Sequence, residues 1–123
     1  MIQTILGWLR TYPGLENLQQ EGLGSGPDAA GLFFRGLTLQ RSYRDLLGRE
    51  FRRRRLECYL ERHCTGDSGT LWMENFSRWA EANGPSLGED TRLHCSQGQL
   101  IRGDETGMTR CRLQLVFEFT REV

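Results

Sequence analysis

The chain has 123 residues, of which 37% are apolar, so it can bury one hydrophobic core but not two. Sixteen basic residues balance sixteen acidic ones, which excludes a global electrostatic attraction to nucleic acid or anionic membrane. No apolar run approaches the roughly 20 residues that span a bilayer, and the start, MIQTILGWLR, lacks the regions of a signal peptide. The sequence predicts one domain, residues 1–123, without membrane contact.

All sixteen basic residues are arginines. Arginine forms planar, forked contacts with carboxylates and keeps its charge when partly buried, which suits protein interfaces. A genome of high GC content explains the same bias without any functional role, so both explanations stay open.

The first residues carry a helical pattern. Apolar side chains recur at helical spacing from Ile2 to Leu9 and predict a short amphipathic helix over residues 2–11. The Pro13-Gly14 pair then ends it. Packing must hold this helix, because it is short and contains a glycine.

Two less regular segments follow. Leu15 to Leu23 is a candidate short strand. Gly22 to Gly31 (GLGSGPDAAG) is rich in glycine and predicts an exposed loop.

The middle of the chain predicts a long β-hairpin over residues 32–63. Leu32 to Tyr43 is its first strand, in which Gly36 indicates a bulge. A turn at Asp45 to Gly48 leads to the second strand, Glu50 to His63. The residues expected to face inward on that strand are Leu56, Cys58 and Leu60.

The far end of this hairpin, Arg41 to Arg55, carries many charges and few core residues. We expect it to project past the core toward a neighbouring molecule or solvent. In a strand, the run Arg52 to Arg55 splits between two faces, and no interleaved aromatic residues offer bases a stacking platform. A solvated or subunit-interface hairpin is therefore preferred to a nucleic-acid contact. The predicted subunit or tube contact residues are Arg41, Arg44, Asp45, Arg49, Arg52, Arg53, Arg54 and Arg55.

An aromatic stripe predicts a second amphipathic helix over residues 70–83. The stripe consists of Trp72, Phe76 and Trp79. Thr65 to Ser68 supplies turn and N-cap chemistry before the helix, and Asn83-Gly84-Pro85 ends it.

The end of the chain predicts a second hairpin. Thr91 to Arg102 is a strand interrupted by Gly98, and Gly103 to Gly107 (GDETG) is a turn. Thr109 to Phe119 then alternates strictly between apolar and polar residues, apart from Val116. Its apolar face consists of Cys111, Leu113, Leu115, Phe117 and Phe119.

The order of these elements predicts the fold class. Strands pair with their neighbours in sequence, and helices are separated from them, which is typical of α+β proteins. We expect an antiparallel-rich mixed β-sheet with a long central hairpin and two amphipathic helices packed on one face.

The sequence offers few groups for catalysis or metal binding. His63 and Cys64 are adjacent, as are His94 and Cys95, so a zinc site would take one residue from each pair, without the usual close cysteine spacing. The four cysteines lack CxxC spacing and are expected to stay reduced, with Cys58 and Cys111 filling the core. No nucleophile, phosphate-loop or dinucleotide motif is present. We predict no catalytic residue, metal or cofactor, and therefore not an enzyme; a zinc site or a reactive Cys–His pair is the alternative.

Four stretches together resemble the tail terminator proteins of tailed phages and phage tail-like particles. They are the first helix running into LRTYPGLENL (Leu9 to Leu18), the central hairpin, FSRWAEANGPSLGED (Phe76 to Asp90) and GQLIRGDETGMTRCRLQLVFEF (Gly98 to Phe119). The resemblance covers nearly the whole chain in order and spacing. The segment Arg52 to Arg55 departs from the shorter acidic or polar hairpin region of that family, which leaves the charge of the neighbouring surface open.

The resemblance implies a structural protein of the virion, made in the bacterial host cytoplasm. It implies a homohexameric ring that caps the head-proximal end of the tail tube, ends tube polymerisation and provides the surface for head–tail joining. The implied partners are further copies of the chain, the tail tube protein, a head–tail connector or neck protein, and the sheath if the tail is contractile. DNA would pass through the ring without sequence-specific binding. The alternatives are a neck, connector or tail-completion protein, and a small nucleic-acid-binding module using Arg52 to Arg55.

Overall fold

The computed structural model describes residues 1–24, 29–64, 68–96, 98–102 and 109–123. Within these ranges the chain forms two helices and six strands. The helices are α1, Ile2–Leu9, and α2, Ser68–Ala82. The strands are β1 Gln19–Gln20, β2 Ala30–Arg44, β3 Glu50–Cys64, β4 Glu89–Cys95, β5 Gln99–Arg102 and β6 Thr109–Glu122.

The strands form one mixed sheet in the order β1-β2-β3-β6-β4, and β5 also pairs with β6. β1 runs parallel to β2, and every other pair is antiparallel. β4 and β5 lie in succession along the same side of β6. β4 pairs with residues 115–120 of β6, and β5 pairs with residues 109–112. The prediction of an α+β fold with an antiparallel-rich mixed sheet is confirmed, as is the interrupted strand near Gly98.

One face of the sheet forms the core. The apolar residues of β6 are buried, as the alternation predicts, and they lie beside the inward residues of β3. Leu56 is opposite Phe117, Cys58 is opposite Leu115, and Leu60 is opposite Leu113. Burying each large apolar side chain of this set stabilises the fold by about 1.5–3 kcal/mol relative to an exposed position.

Both helices pack on this face of the sheet, as predicted. α1 buries Ile5, Leu6 and Leu9, while α2 buries Met73, Phe76 and Ala80. The indole of Trp8 stacks on that of Trp79, with ring centroids 5.1 Å apart and an interplanar angle of 11°. It also meets the Phe117 ring edge-on at 6.1 Å, and its Nε1 donates a hydrogen bond of 2.7 Å to the Asn83 carbonyl. These contacts join both helices to the sheet.

The predicted bulge in β2 decides which side chains reach the core. The register changes between Phe34 and Gly36, so Arg35 is an extra residue in the strand. Phe33 pairs with Tyr59 on the open face of the sheet, whereas Leu37 pairs with Leu56 on the helix-covered face. Phe33 and Leu37 share sequence parity, and the bulge separates them.

The far end of the hairpin projects less than predicted. β6 continues to Glu122, three residues beyond the predicted end, and stays paired with β3 as far as Phe51. Val123 also donates its backbone N–H to the Glu50 carbonyl. The sheet is therefore still three strands wide there. Only the turn extends beyond the end of the sheet, and the outer side of β2 forms its edge.

The candidate strand at residues 15–23 is mostly wrong. Only Gln19 and Gln20 form a strand, paired with Gly31 and Leu32. Leu15 and Leu18 are instead buried in the core from a series of turns, and this burial produces the irregular apolar spacing.

Several predicted loops fall wholly or partly outside the described residues. They are residues 25–28 of the Gly-rich loop, residues 65–67 before α2, and the turn 103–107. The last two residues of the predicted Gly-rich loop, Ala30 and Gly31, belong to β2 instead. Neither helix of the described chain has the length and apolar character to cross a membrane.

Candidate interaction surface

The turn at the end of the central hairpin is built around one carboxylate. Oδ1 of Asp45 accepts backbone hydrogen bonds from Leu47 at 3.0 Å and Arg49 at 2.9 Å. Its Oδ2 accepts a third from Nε of Arg49 at 2.7 Å, in an ion pair. Gly48 takes a positive φ of 82°, which glycine adopts without steric cost. The turn therefore has a defined conformation without any support from the core.

The electrostatics of this turn follow from the same contacts. Desolvation raises the pKa of Asp45, but the hydrogen bonds from Arg49 and Leu47 and the charge of Arg49 outweigh it and lower the pKa below its usual value. The ionised form of Asp45 is thus the one that stabilises the turn.

The turn presents two leucines to solvent. Leu46 is fully exposed, and Leu47 is 80% exposed. Consecutive leucines at the apex of an ordered turn form an apolar point that no described part of the chain covers. Exposed apolar groups of this kind commonly mark contact sites when they lie close together.

The outer side of β2 adds backbone groups to this surface. β1 pairs with Gly31 and Leu32, and the Glu21 carboxylate accepts the next outward hydrogen bond, from the Phe34 backbone at 2.7 Å. Beyond that point, no described strand pairs with the outer side of β2. An open edge of this length is available for pairing with another chain, and its arginines oppose indiscriminate pairing. We call the open edge together with Leu46 and Leu47 the hairpin surface.

The predicted contact residues lie together at this end of the hairpin but on two faces. Arg41, Arg53 and Arg55 point to the open face, while Arg44, Arg52 and Arg54 point to the helix-covered face. The predicted split of the Arg52–Arg55 run is thus confirmed, and it forms no patch of four charges.

Several of these arginines already have carboxylate partners in the same chain. Arg53 is only 19% exposed and lies 3.6 Å from Asp90 and 3.9 Å from Glu118. It also donates hydrogen bonds to the Asp90 carbonyl and the Thr120 hydroxyl. Arg55 lies 3.1 Å from a Glu57 oxygen. These pairs lower the charge that the run offers to a phosphate backbone.

The remaining predicted residues are less constrained. Arg52 has one ion pair, at 3.6 Å to Glu50, and Arg41 lies over the Tyr43 ring with its guanidinium carbon 5.2 Å from the centroid. Arg44 and Arg54 make no ion pair with a described residue. Among the predicted arginines, Arg41, Arg44 and Arg54 are therefore the best placed to contact a partner.

The middle of the open face carries a buried charge cluster. Glu61 is buried, and its two oxygens lie 3.4 Å from Arg110 and 3.1 Å from Arg112. The Arg112 guanidinium also lies over the Tyr59 ring, 4.5 Å from the centroid. The charges in the middle of the open face are thus paired within the chain, and this face forms the polar side of the sheet, away from the helices.

A groove lies at the opposite edge of the sheet from the hairpin surface. It has a volume of about 580 Å³ and runs between α2 and β5. Met73 and Leu113 form its apolar floor, and Glu74 and Arg78 lie on its rim. Leu100 lines it and is about half exposed. Its size is that of a site for a few side chains.

The pairs His63-Cys64 and His94-Cys95 are the candidate metal ligands of the sequence. No group of three or more His, Cys, Asp or Glu residues capable of holding a metal occurs in the described parts of the chain. Cys58 and Cys111 are buried, so their predicted place in the core is confirmed. Burial raises the pKa of Cys58 to about 12 and that of Cys95 to about 11, so both thiols are protonated at neutral pH.

Sequence reasoning missed two features. It assigned Leu46 and Leu47 to a turn and left them out of the predicted contact residues, although two consecutive leucines in a turn are the signal of an exposed apolar point. It also placed Cys111 in the last strand and left Cys64 just beyond the end of the central hairpin, without the register that joins them, which no local pattern supplies.

No protein-family model matches the sequence, and no curated protein matches it either.

Proposed function

We propose that this chain is the subunit of a ring that caps the head-proximal end of a phage tail tube. In this role it ends tube polymerisation and offers the surface on which the head is joined. The ring is a homohexamer made in the bacterial host cytoplasm and carried in the virion. Its further partners are the tail tube protein, a connector or neck protein and, in a contractile tail, the sheath.

The observation that carries the proposal is the hairpin surface. A strand edge that is open beyond Phe34, ending in two exposed leucines on a rigid turn, is a contact surface prepared before any partner arrives. Asp45 fixes the turn, so little conformational entropy is lost when it binds. A protein whose role is assembly needs such a surface.

The position of the groove supports a ring over a symmetric pair. The hairpin surface lies at the β2 edge of the sheet, and the groove lies beside β5 at the other edge. Contacts between two different surfaces of identical subunits are heterologous, and they close into a ring when the rotation allows it. A contact of this type forms when the turn of one subunit, with Leu46 and Leu47, packs into the groove between α2 and β5 of the next subunit.

The family resemblance supports the identity of the ring. Its four stretches correspond to α1 with the turns after it, the β2–β3 hairpin, the second half of α2 with the segment after it, and the β5–β6 pair. The four stretches therefore fall on helices and strands that form the fold, together with the segments that connect them.

The test combines particle mass with tube length. Light scattering after gel filtration should give a particle of about six subunits. The chain added to polymerising tail tube protein should shorten the tubes and label one end of each in electron micrographs. Replacing Leu46 and Leu47 by serine should raise, at least tenfold, the protein concentration that is needed for ring formation and for tube shortening. Leu71→Ser, at a 60% exposed leucine of α2 outside the groove, is the matched control and should change neither.

Other outcomes separate the alternatives. Binding to a connector without any effect on tube length would replace the terminator function by a neck function. Binding to DNA that falls steeply with salt, and that Arg44→Glu plus Arg54→Glu abolishes, would favour the nucleic-acid module.

A further inference from the structure

Two thiols meet at the end of the sheet that lies away from the hairpin surface. Cys64 is the last residue of β3, and Cys111 lies near the start of β6. The register pairs Cys64 with Thr109 and Cys111 with Arg62, so the cysteines are diagonal neighbours on adjacent strands. The Cys111 thiol donates a hydrogen bond to Sγ of Cys64 at a sulfur–sulfur distance of 2.9 Å. Both cysteines are free.

The surroundings hold the two sulfurs together. A Cβ placed on Gly69 would lie 2.8 Å from each of them, so the first turn of α2 rests directly on the pair. Cys64 is 5% exposed and Cys111 is 1% exposed. A disulfide requires a sulfur–sulfur distance of about 2.05 Å, so the pair needs to close by about 1 Å.

The other two cysteines are too far away to compete. Cys58 precedes Cys64 by six residues in the same strand, which is about 20 Å at the usual rise of a β-strand. Cys95 pairs with Leu115, four residues along β6 from Cys111, which is about 13 Å. Each of them lacks a sulfur partner among the described contacts.

We propose that Cys64 and Cys111 are an oxidation site, which forms an intramolecular disulfide when the chain meets a low-molecular-weight disulfide. The Cys64 thiolate attacks one sulfur of oxidised glutathione and releases one glutathione thiolate. The Cys111 thiolate then attacks the Cys64 sulfur of the mixed disulfide and releases the second. Two protein thiols are oxidised and one glutathione disulfide is reduced, so atoms and electrons balance.

The reaction requires local opening of the strand ends, because both thiols are buried. Burial and the neighbouring Cys64 together raise the pKa of Cys111 to about 12, so its thiol is protonated in the closed state. The thiolate is the reactive form, so oxidation is slow at neutral pH and accelerates as the pH rises. Cys64 reacts first, because it ends its strand and is the more exposed of the two.

The disulfide has a use if the proposed function holds. A reducing cytoplasm keeps the two thiols reduced during assembly, and release from the cell exposes the particle to oxidants. The bond then fastens β3 to β6 beneath α2 in the finished particle.

Tryptic mapping of the purified full chain tests the bond. Trypsin cleaves after arginine, and the arginines place the four cysteines in four different peptides, residues 56–62, 63–78, 93–102 and 111–112. After incubation with oxidised glutathione, we expect a single linked species joining peptide 63–78 to peptide 111–112. Cys58 and Cys95 should remain alkylatable. The melting temperature should rise by about 10 °C and return on reduction.

The controls make a negative result decisive. A Cys58→Ala plus Cys95→Ala variant keeps the pair and should link at the unchanged rate, whereas Cys64→Ala should show no rise in melting temperature. Links that involve Cys58 or Cys95, or four alkylatable thiols after prolonged incubation of the folded chain, would overturn the proposal. The bond forms within one chain, so the result is independent of whether the chain assembles into rings.

Discussion

The two ends of the central hairpin are built by different forces. Near its base, Leu32 and Leu60 face each other across the strands and are buried beneath the helices. Near the turn, Leu39 and Tyr43 are exposed, and backbone pairing and the Asp45 contacts maintain the structure. At the base of the hairpin, apolar burial therefore determines the fold. Near the turn, hydrogen bonds maintain the structure, so the side chains there stay exposed and available for contact.

The largest expected effect lies in the core that the buried side chains of the hairpin face. Phe117→Ala should lower the free energy of unfolding by about 3–5 kcal/mol, because it leaves a cavity between Trp8, Leu56 and Leu93. Chemical denaturation measures this loss. Leu39→Ala, in the exposed part of β2, is the control and should change the value by no more than about 0.5 kcal/mol. Equal losses in both variants would contradict the division between the two ends.

An intermediate effect is expected at the aromatic pair beside the turn. The Tyr43 ring stacks on that of Phe51 at 5.5 Å, with an interplanar angle of 18°, and Arg41 lies over it. Tyr43→Ala should therefore cost about 1 kcal/mol of unfolding free energy. Tyr43→Phe keeps the stacked ring and should cost much less; a similar cost for both would place the energy in the hydroxyl instead.

A smaller effect, confined to the turn, is expected from Asp45. Its pKa is lowered in the folded state, so its contribution is present above the ordinary Asp pKa of about 4 and is lost as the pH falls through the lower folded value. The Leu47 and Arg49 amide resonances should follow this titration by NMR, and their hydrogen exchange should accelerate. Asp45→Asn should remove the pH dependence, and a persistent titration in that variant would assign it to another group.

The smallest effect on folding is expected at the apex. Replacing both Leu46 and Leu47 by serine should leave the free energy of unfolding within about 0.5 kcal/mol of the parent chain, because neither side chain is buried. The same double variant should lose ring formation and tube capping. A loss of stability together with the loss of assembly would mean that the turn contributes to the fold as well as to the contact surface.

Much of the fold could be predicted from local patterns. The alternation in β6, the aromatic stripe of α2 and the glycine at the β2 bulge each determine a local structure by themselves. The length of β6 escaped prediction because its last residues, Thr120 to Glu122, are polar and pair with β3 through their backbones. Period-2 hydrophobicity cannot detect a strand that is held by hydrogen bonds alone.

The candidate surface could be predicted in place but not in detail. Sequence reasoning located it near Arg41 to Arg55, because a charged hairpin end with few core residues is visible locally. It could not know that Arg53 is neutralised by Asp90 and Glu118, since those partners come from distant strands. The contact between Cys64 and Cys111 escaped it for the same reason.

The stacked indoles of Trp8 and Trp79 also give the molecule a built-in optical reporter. Two indoles that stack at 5.1 Å have coupled electronic transitions, so their circular dichroism differs from the sum of two isolated chromophores. Trp8 lies on α1 and Trp79 on α2, so this signal reports the docking of the two helices on each other. Both indoles lie far from the hairpin turn in the fold, so the signal can follow the core separately while light scattering follows assembly.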